Sequence, residues 1–111
     1  MGYFYFFIDP SFKQRDTNNV RIEVEYYNEK RGSLSLQYDA WAKEKSMKTI
    51  YTRAGPSISL DGAQEWETAT FHIRNAAFDS AQNGGADFRL EVSPPELSIH
   101  RVTVTREKDE D

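Results

Sequence analysis

An all-β fold is what this sequence predicts: an antiparallel two-sheet β-sandwich with jelly-roll topology and about eight strands. Three observations lead there. Apolar and polar residues alternate with period two in three separate segments, as strands with one dry and one wet face require. Turn-forming residues punctuate the chain at short intervals, as Asp9-Pro10, Gly55-Pro56, Asp61-Gly62, Asn83-Gly84-Gly85 and Pro94-Pro95. Helical patterning is confined to one short stretch, and a length of 111 residues suits two packed sheets of about four strands each. An immunoglobulin-like sandwich is the rival, but no cysteines flank a Trp, so the jelly roll is preferred.

The first strand is expected over Tyr3 to Ile8, an aromatic-rich run that Asp9-Pro10 ends. From Val20 to Tyr27, the residues Val20, Ile22, Val24 and Tyr26 alternate with Arg21, Glu23, Glu25 and Tyr27, so the first set should face the core. Asn28 to Gly32 is a Gly-containing connection suited to a hairpin. It leads to a strand in which Leu34, Leu36 and Tyr38 are dry while Ser35, Gln37 and Asp39 are wet. Weaker strands are read over Met47 to Tyr51, Ser57 to Leu60 and Trp66 to Ile73. The one helical candidate runs from Asn75 to Ala81, with Asn75 as cap and Phe78 as core contact. Phe88, Leu90 and Val92 then alternate with Arg89 and Glu91. In the last strand, Ser98 to Thr105, Ile99 is out of phase with Val102 and Val104, which indicates a bulge near His100-Arg101.

A single module over residues 1–106 is expected, with 107–111 an acidic tail or the start of a linker. No targeting signal is read at the start, and Met-Gly directly before a strand suggests a module cut from a longer protein. The chain has no cysteine, so disulfides, thiolate metal sites and cysteine nucleophiles are excluded. A net charge of −4 is the wrong sign for a nucleic-acid partner. No apolar run is long enough to insert in a membrane as a helix.

Catalytic sets are hard to assemble, and a non-enzymatic role is expected. His72 and His100 fall on separate strands without metal-ligand spacing, and read as strand-surface histidines. Glu23 and Glu25 share a wet face, yet nothing suggests the substrate cleft that paired carboxylates need for glycoside hydrolysis. Asn83-Gly84-Gly85 lacks the Lys and helix of a phosphate loop and reads as a tight turn. The Asp residues are scattered without EF-hand spacing, which leaves a structural calcium open but unplaced.

The aromatic content is the stronger lead: two Trp, six Tyr and seven Phe in an otherwise polar chain. Trp41 lies where a strand gives way to the hydrophilic Lys43-Glu44-Lys45-Ser46, a position suited to a stacking platform. Tyr51 lies at the end of that loop, and Tyr27, like Tyr5, has wet-face parity. Trp66 opens a strand, where capping the core is the ordinary role. Sugar rings stack on aromatic faces and offer hydroxyls to planar polar partners. Trp41, Tyr51 and Tyr27, with Gln37, Asp39 and Arg89 from the wet faces, are the candidate carbohydrate-binding residues.

Four stretches carry a resemblance: Ser33-Leu34-Ser35-Leu36-Gln37-Tyr38-Asp39, Trp66-Glu67-Thr68-Ala69-Thr70-Phe71, Asn83-Gly84-Gly85-Ala86-Asp87-Phe88-Arg89-Leu90 and Ile99-His100-Arg101-Val102-Thr103-Val104. Together they resemble the β-jelly-roll modules, of galactose-binding-like type, that accompany bacterial polysaccharide-degrading enzymes. The resemblance implies a non-catalytic module that holds a parent enzyme near a polysaccharide or oligosaccharide. It implies a covalently linked catalytic domain and an extracellular or cell-surface location, with binding residues in the Trp41 to Tyr51 loop. The alternative is a structural spacer domain that binds no glycan and packs on its neighbour through the Tyr3 to Ile8 run. The acidic balance favours neutral glycans, and a local basic patch of Arg21, Arg89 and Arg101 would reverse that preference.

Overall fold

A computed structural model describes residues 2–13, 17–93, 95 and 97–107, and these form two antiparallel sheets packed face to face. The elements are β1 (Gly2–Phe6), β2 (Asn18–Asn28), β3 (Arg31–Tyr38), α1 (Met47–Ile50), β4 (Thr52–Arg53), β5 (Ile58–Asp61), β6 (Glu65–Ala76), β7 (Phe88–Ser93) and β8 (Ser98–Arg106). The five-stranded sheet runs β1-β7-β3-β4, with β5 also pairing β3, and the three-stranded sheet runs β6-β2-β8.

The period-two pattern places the core as expected, except that Ser35, read as wet, is buried with Leu34 and Leu36 on either side of it. Val20, Ile22, Val24 and Tyr26 of β2 face Leu34, Leu36, Phe88, Leu90 and Val92 across the sandwich, all buried. Phe88 also stacks on Phe6 of β1, ring centroids 4.9 Å apart. The bulge in the last strand is present at His100: Glu25 pairs Arg101 while Tyr26 pairs Ile99, leaving His100 unmatched between them.

Three local readings are corrected. The Asn28 to Gly32 connection is no hairpin, because β2 and β3 lie in different sheets. Asn28 is buried and makes the turn: its Nδ2 donates to Asp61 and Glu67 carboxylates at 2.7 and 2.8 Å, and its Oδ1 accepts from Gly62 N–H at 3.0 Å. Gly62 holds a φ of 73°, which a side chain would strain. The strand over Met47 to Tyr51 is instead the single helical turn α1. Ser46 and Thr49 form a reciprocal capping box that starts it, and only Thr52–Arg53 remains as strand.

The helix over Asn75 to Ala81 is absent: β6 continues to Ala76, and a loop follows in which Phe78 and Ser80 take φ of 52° and 59°. Left-handed backbone breaks a helix. What holds it is a pair of buried carboxylates. Asp39 accepts Asp79 N–H at 2.7 Å, and its backbone oxygen accepts Ala77 and Phe78 N–H. Asp87 accepts Ser80 N–H at 3.0 Å and Ile8 N–H at 2.9 Å. Phe78 still fills the core, as expected, but from this loop.

The sandwich is laced along one side, where Ala40 bridges Ala76, Trp41 N–H donates to Asn75 O at 2.7 Å and Tyr38 donates to Asn75 Oδ1 at 2.5 Å. Glu107, placed in the tail by the sequence, is tied down by its N–H to Asn19 O at 2.8 Å and its carboxylate to His72 at 3.0 Å. The rest of the expected tail, 108–111, lies outside the described residues.

Phe88→Ala should lower unfolding stability by about 3 to 5 kcal/mol, because it empties a fully buried ring site between the sheets. Chemical denaturation of both proteins checks this, and a change under about 1 kcal/mol would place the core elsewhere.

Candidate functional site

One rung of outward side chains crosses the five-stranded sheet. Register sets Tyr5 of β1 opposite Arg89 of β7, Arg89 opposite Gln37 of β3, and Gln37 opposite Arg53 of β4. Alternation along β7 sends Leu90 and Val92 inward, which leaves Arg89 and Glu91 outside.

Arg89 is the centre of this rung. Its guanidinium carbon lies 3.9 Å from the Tyr51 ring centroid and 4.3 Å from that of Tyr3, with Tyr5 at 5.9 Å. Nε donates to Gln37 Oε1 at 2.5 Å, and Nη1 donates to the Tyr5 hydroxyl at 3.1 Å. Stacking and two directed hydrogen bonds fix the plane of a side chain that is otherwise rich in rotamers.

Local sequence explains how Tyr51 arrives there. The Ser46 capping box starts α1, Tyr51 is its C-cap, and the Tyr51 hydroxyl accepts the Asn83 N–H at 2.9 Å. Gln82, only 3% exposed, anchors this corner: its Nε2 donates to Gln37 O at 3.1 Å and Ile50 O at 2.7 Å, while its Oε1 has no hydrogen-bond partner. The Tyr5 phenol is held below the usual tyrosine range, first by the hydrogen bond from Arg89, against burial, and then by the Arg89 charge, Asn83 and Tyr51. An open cleft of about 450 Å³ results, with Tyr5, Tyr51, Gln82, Asn83 and Arg89 as its polar lining and Met47, Ile50 and Ala81 as its apolar lining.

Of the six residues the sequence nominates, this site gathers Gln37, Tyr51 and Arg89. Asp39 is corrected: it is not on a wet face but fully buried, with Lys45 Nζ 2.6 Å from one oxygen and Asp79 N–H on the other. The strand phase slips there because the chain leaves β3 at Tyr38. Trp41 is 54% exposed but lies outside the cleft lining. Tyr27 is on the other sheet, edge-on to Trp66 at 5.3 Å.

Trp66 does not cap the core. It is 59% exposed on the outer face of the three-stranded sheet, between Tyr27 and His100, whose ring centroid is 5.5 Å away. The basic patch named from sequence does not form: Arg21 and Arg101 sit on that same sheet beside Glu23 and Glu25, at 3.2 and 3.8 Å, and Arg89 is on the opposite one. Tyr3, Asn83 and Met47 were not nominated. Tyr3 shares the parity of Tyr5, a signal within reach of the sequence, whereas Asn83 and Met47 join only through tertiary structure.

A second cleft, about 640 Å³, opens between the free edges of β1 and β8 and is mainly apolar, lined by Phe4, Phe6, Phe12, Leu97, Val102 and Val104 among others. Its polar side chains among the described residues are Asp9, His100 and Arg101, against ten apolar ones. No group of three or more His, Cys, Asp or Glu side chains is placed to hold a metal among the described residues. The buried carboxylates of Asp39 and Asp87 are answered by Lys45 and Lys13 ammonium groups instead, at 2.6 and 3.0 Å.

No protein family, curated protein or solved structure matches this chain.

Two substitutions should separate the structural carboxylate from the surface ring. Asp39→Ala removes the partner of Lys45 and of the Asp79 N–H, and should cost about 3 to 5 kcal/mol in unfolding stability. Trp66→Ala should change it by less than about 1 kcal/mol, since the ring is mostly in water. Thermal and denaturant melts of both variants read this directly.

Proposed function

We propose that this chain is a non-catalytic carbohydrate-binding module whose glycan site is the Arg89 cleft. The observation that carries the reading is the Arg89 guanidinium held between the Tyr3 and Tyr51 rings at the wall of an open cleft. Rings supply apolar faces for the C–H side of a pyranose, and a fixed planar donor supplies direction for its oxygens. The cleft is open to solvent along its length, so affinity is expected in the micromolar to millimolar range, about −8 to −4 kcal/mol.

In this reading the successive crossings of the chain between sheets are jelly-roll winding, and the module is secreted or displayed as part of a polysaccharide-degrading enzyme. The parent catalytic domain does the chemistry and this domain supplies proximity. The second reading, a spacer that packs against its neighbour, draws on the apolar cleft between β1 and β8 and on the exposed Phe4 and Phe7.

Affinity electrophoresis over plant, algal and fungal polysaccharides tests the two readings. Retardation by at least one polymer is expected, and Tyr51→Ala should weaken it by about 1 to 3 kcal/mol, the scale of one stacked ring. Trp41→Ala should leave it unchanged. Retardation by no polymer favours the spacer.

A further inference from the structure

We infer that the Arg89 cleft selects glycans bearing carboxylates, uronate residues above all, an assignment that rests on the glycan reading of the same cleft. Its basis is the company Arg89 keeps. Among the described residues, three cationic side chains are half-buried: Lys13, Arg21 and Arg89. Lys13 faces Asp87 at 3.0 Å and Arg21 faces Glu23 at 3.2 Å. Arg89 faces two aromatic rings, an amide oxygen and a phenol, and no described carboxylate is within ion-pair distance of it.

The whole cleft follows suit. In a chain with 18 Asp and Glu against 14 Lys and Arg, the described residues lining this cleft include no acid. Its polar lining is the Arg89 guanidinium, the Asn83 and Gln82 amides and the Tyr5 and Tyr51 hydroxyls, so Arg89 is the one charged side chain among the described lining residues. Gln37 Oε1, an acceptor beside the cleft, is already taken by Arg89. A carboxylate only accepts, and Arg89 only donates. A partly desolvated guanidinium without a counter-charge gains most from an anion, and its planar fork matches a carboxylate in two parallel hydrogen bonds. Nε and one Nη1 hydrogen are committed to Gln37 and Tyr5, which leaves the other Nη hydrogens for the ligand. The net charge of −4 weighs little against this, because charges farther from the cleft than a Debye length of about 8 Å are largely screened at physiological salt.

The test uses the full chain and three probes: an oligogalacturonide, the same oligosaccharide after reduction of its carboxyl groups, and glutarate as a carboxylate without a sugar. Calorimetry reads affinity, and NMR reads the Arg89 Nε–H and Tyr51 ring resonances. The oligogalacturonide should bind at least about tenfold more tightly than its reduced form, a difference of about 1.4 kcal/mol. Arg89→Gln should abolish that difference, Arg89→Lys should keep part of it, and both Arg89 resonances and the affinity should respond to salt. Equal affinity of wild type for the acidic and reduced sugars overturns the carboxylate assignment and leaves the glycan reading standing. Glutarate shifting the Arg89 resonance while neither oligosaccharide binds overturns the glycan reading instead. Silence to all three probes overturns both, and the wild-type comparison decides even if the Arg89 variants fold poorly.

Discussion

The hydrogen-bonded pair of Asp39 and Asp87 is the constraint on which the rest of this structure depends. Asp39 N–H donates to Asp87 O at 3.0 Å, just past the paired ends of β3 and β7. Each carboxylate then reaches into the loop after β6, and Asp87 also holds the chain that leaves β1. Burying two carboxylates is unfavourable unless charge and hydrogen bonds answer them, and Lys45, Lys13 and backbone N–H groups do so here. Two residues from each aspartate, on the outer face, stand Gln37 and Arg89. The knot at the end of the strands therefore sets the register that makes those two side chains meet.

The sheet faces are unlike, and the difference is chemical. On the three-stranded sheet, Arg21 and Arg101 are neutralised by Glu23 and Glu25, so that face is a screened, solvated surface. On the five-stranded sheet the same kind of cation is enclosed by rings and amides. Overall charge describes neither face. A single arginine's surroundings set the local field on its side of the sandwich, and more distant charges of the chain are largely screened beyond about 8 Å at physiological salt.

Legibility in the sequence followed the length scale of each cause. Alternation in β2, β3 and β7 was readable because the buried face of a strand is written in every second residue, and even the His100 bulge showed as a broken phase. The two-sheet sandwich followed from it. The capping box at Ser46 was passed over because Thr49 stands where Glu or Gln marks the common form. The loop of Phe78 and Ser80 was unreadable locally, since one of the groups that bend it, Asp39, lies 40 residues back in the chain, and the other, Asp87, bends it from just before the next strand. Half of the nominated residues, Gln37, Arg89 and Tyr51, fall in the candidate site because they are polar or aromatic on its outer face. Asp39 was misplaced by extending β3 one residue too far, and Trp66 by weighing its place at a strand opening over the strand's phase, in which inward Ala69, Phe71 and Ile73 send residue 66 outward.

Pairing of the first strand with the seventh gives this fold a particular order of assembly. Tyr5 and Arg89, bonded in the finished protein, are 84 residues apart in the chain. On a ribosome adding about 5 to 20 residues per second, β1 would wait roughly 4 to 17 s for its partner strand. During that interval its run of aromatic residues has no sheet to join, and such nascent edges are prone to pair with other chains. The face that carries the Arg89 cleft is thus among the last parts to close, and a chain stopped before β7 carries the rings of that cleft without the cation that organises them.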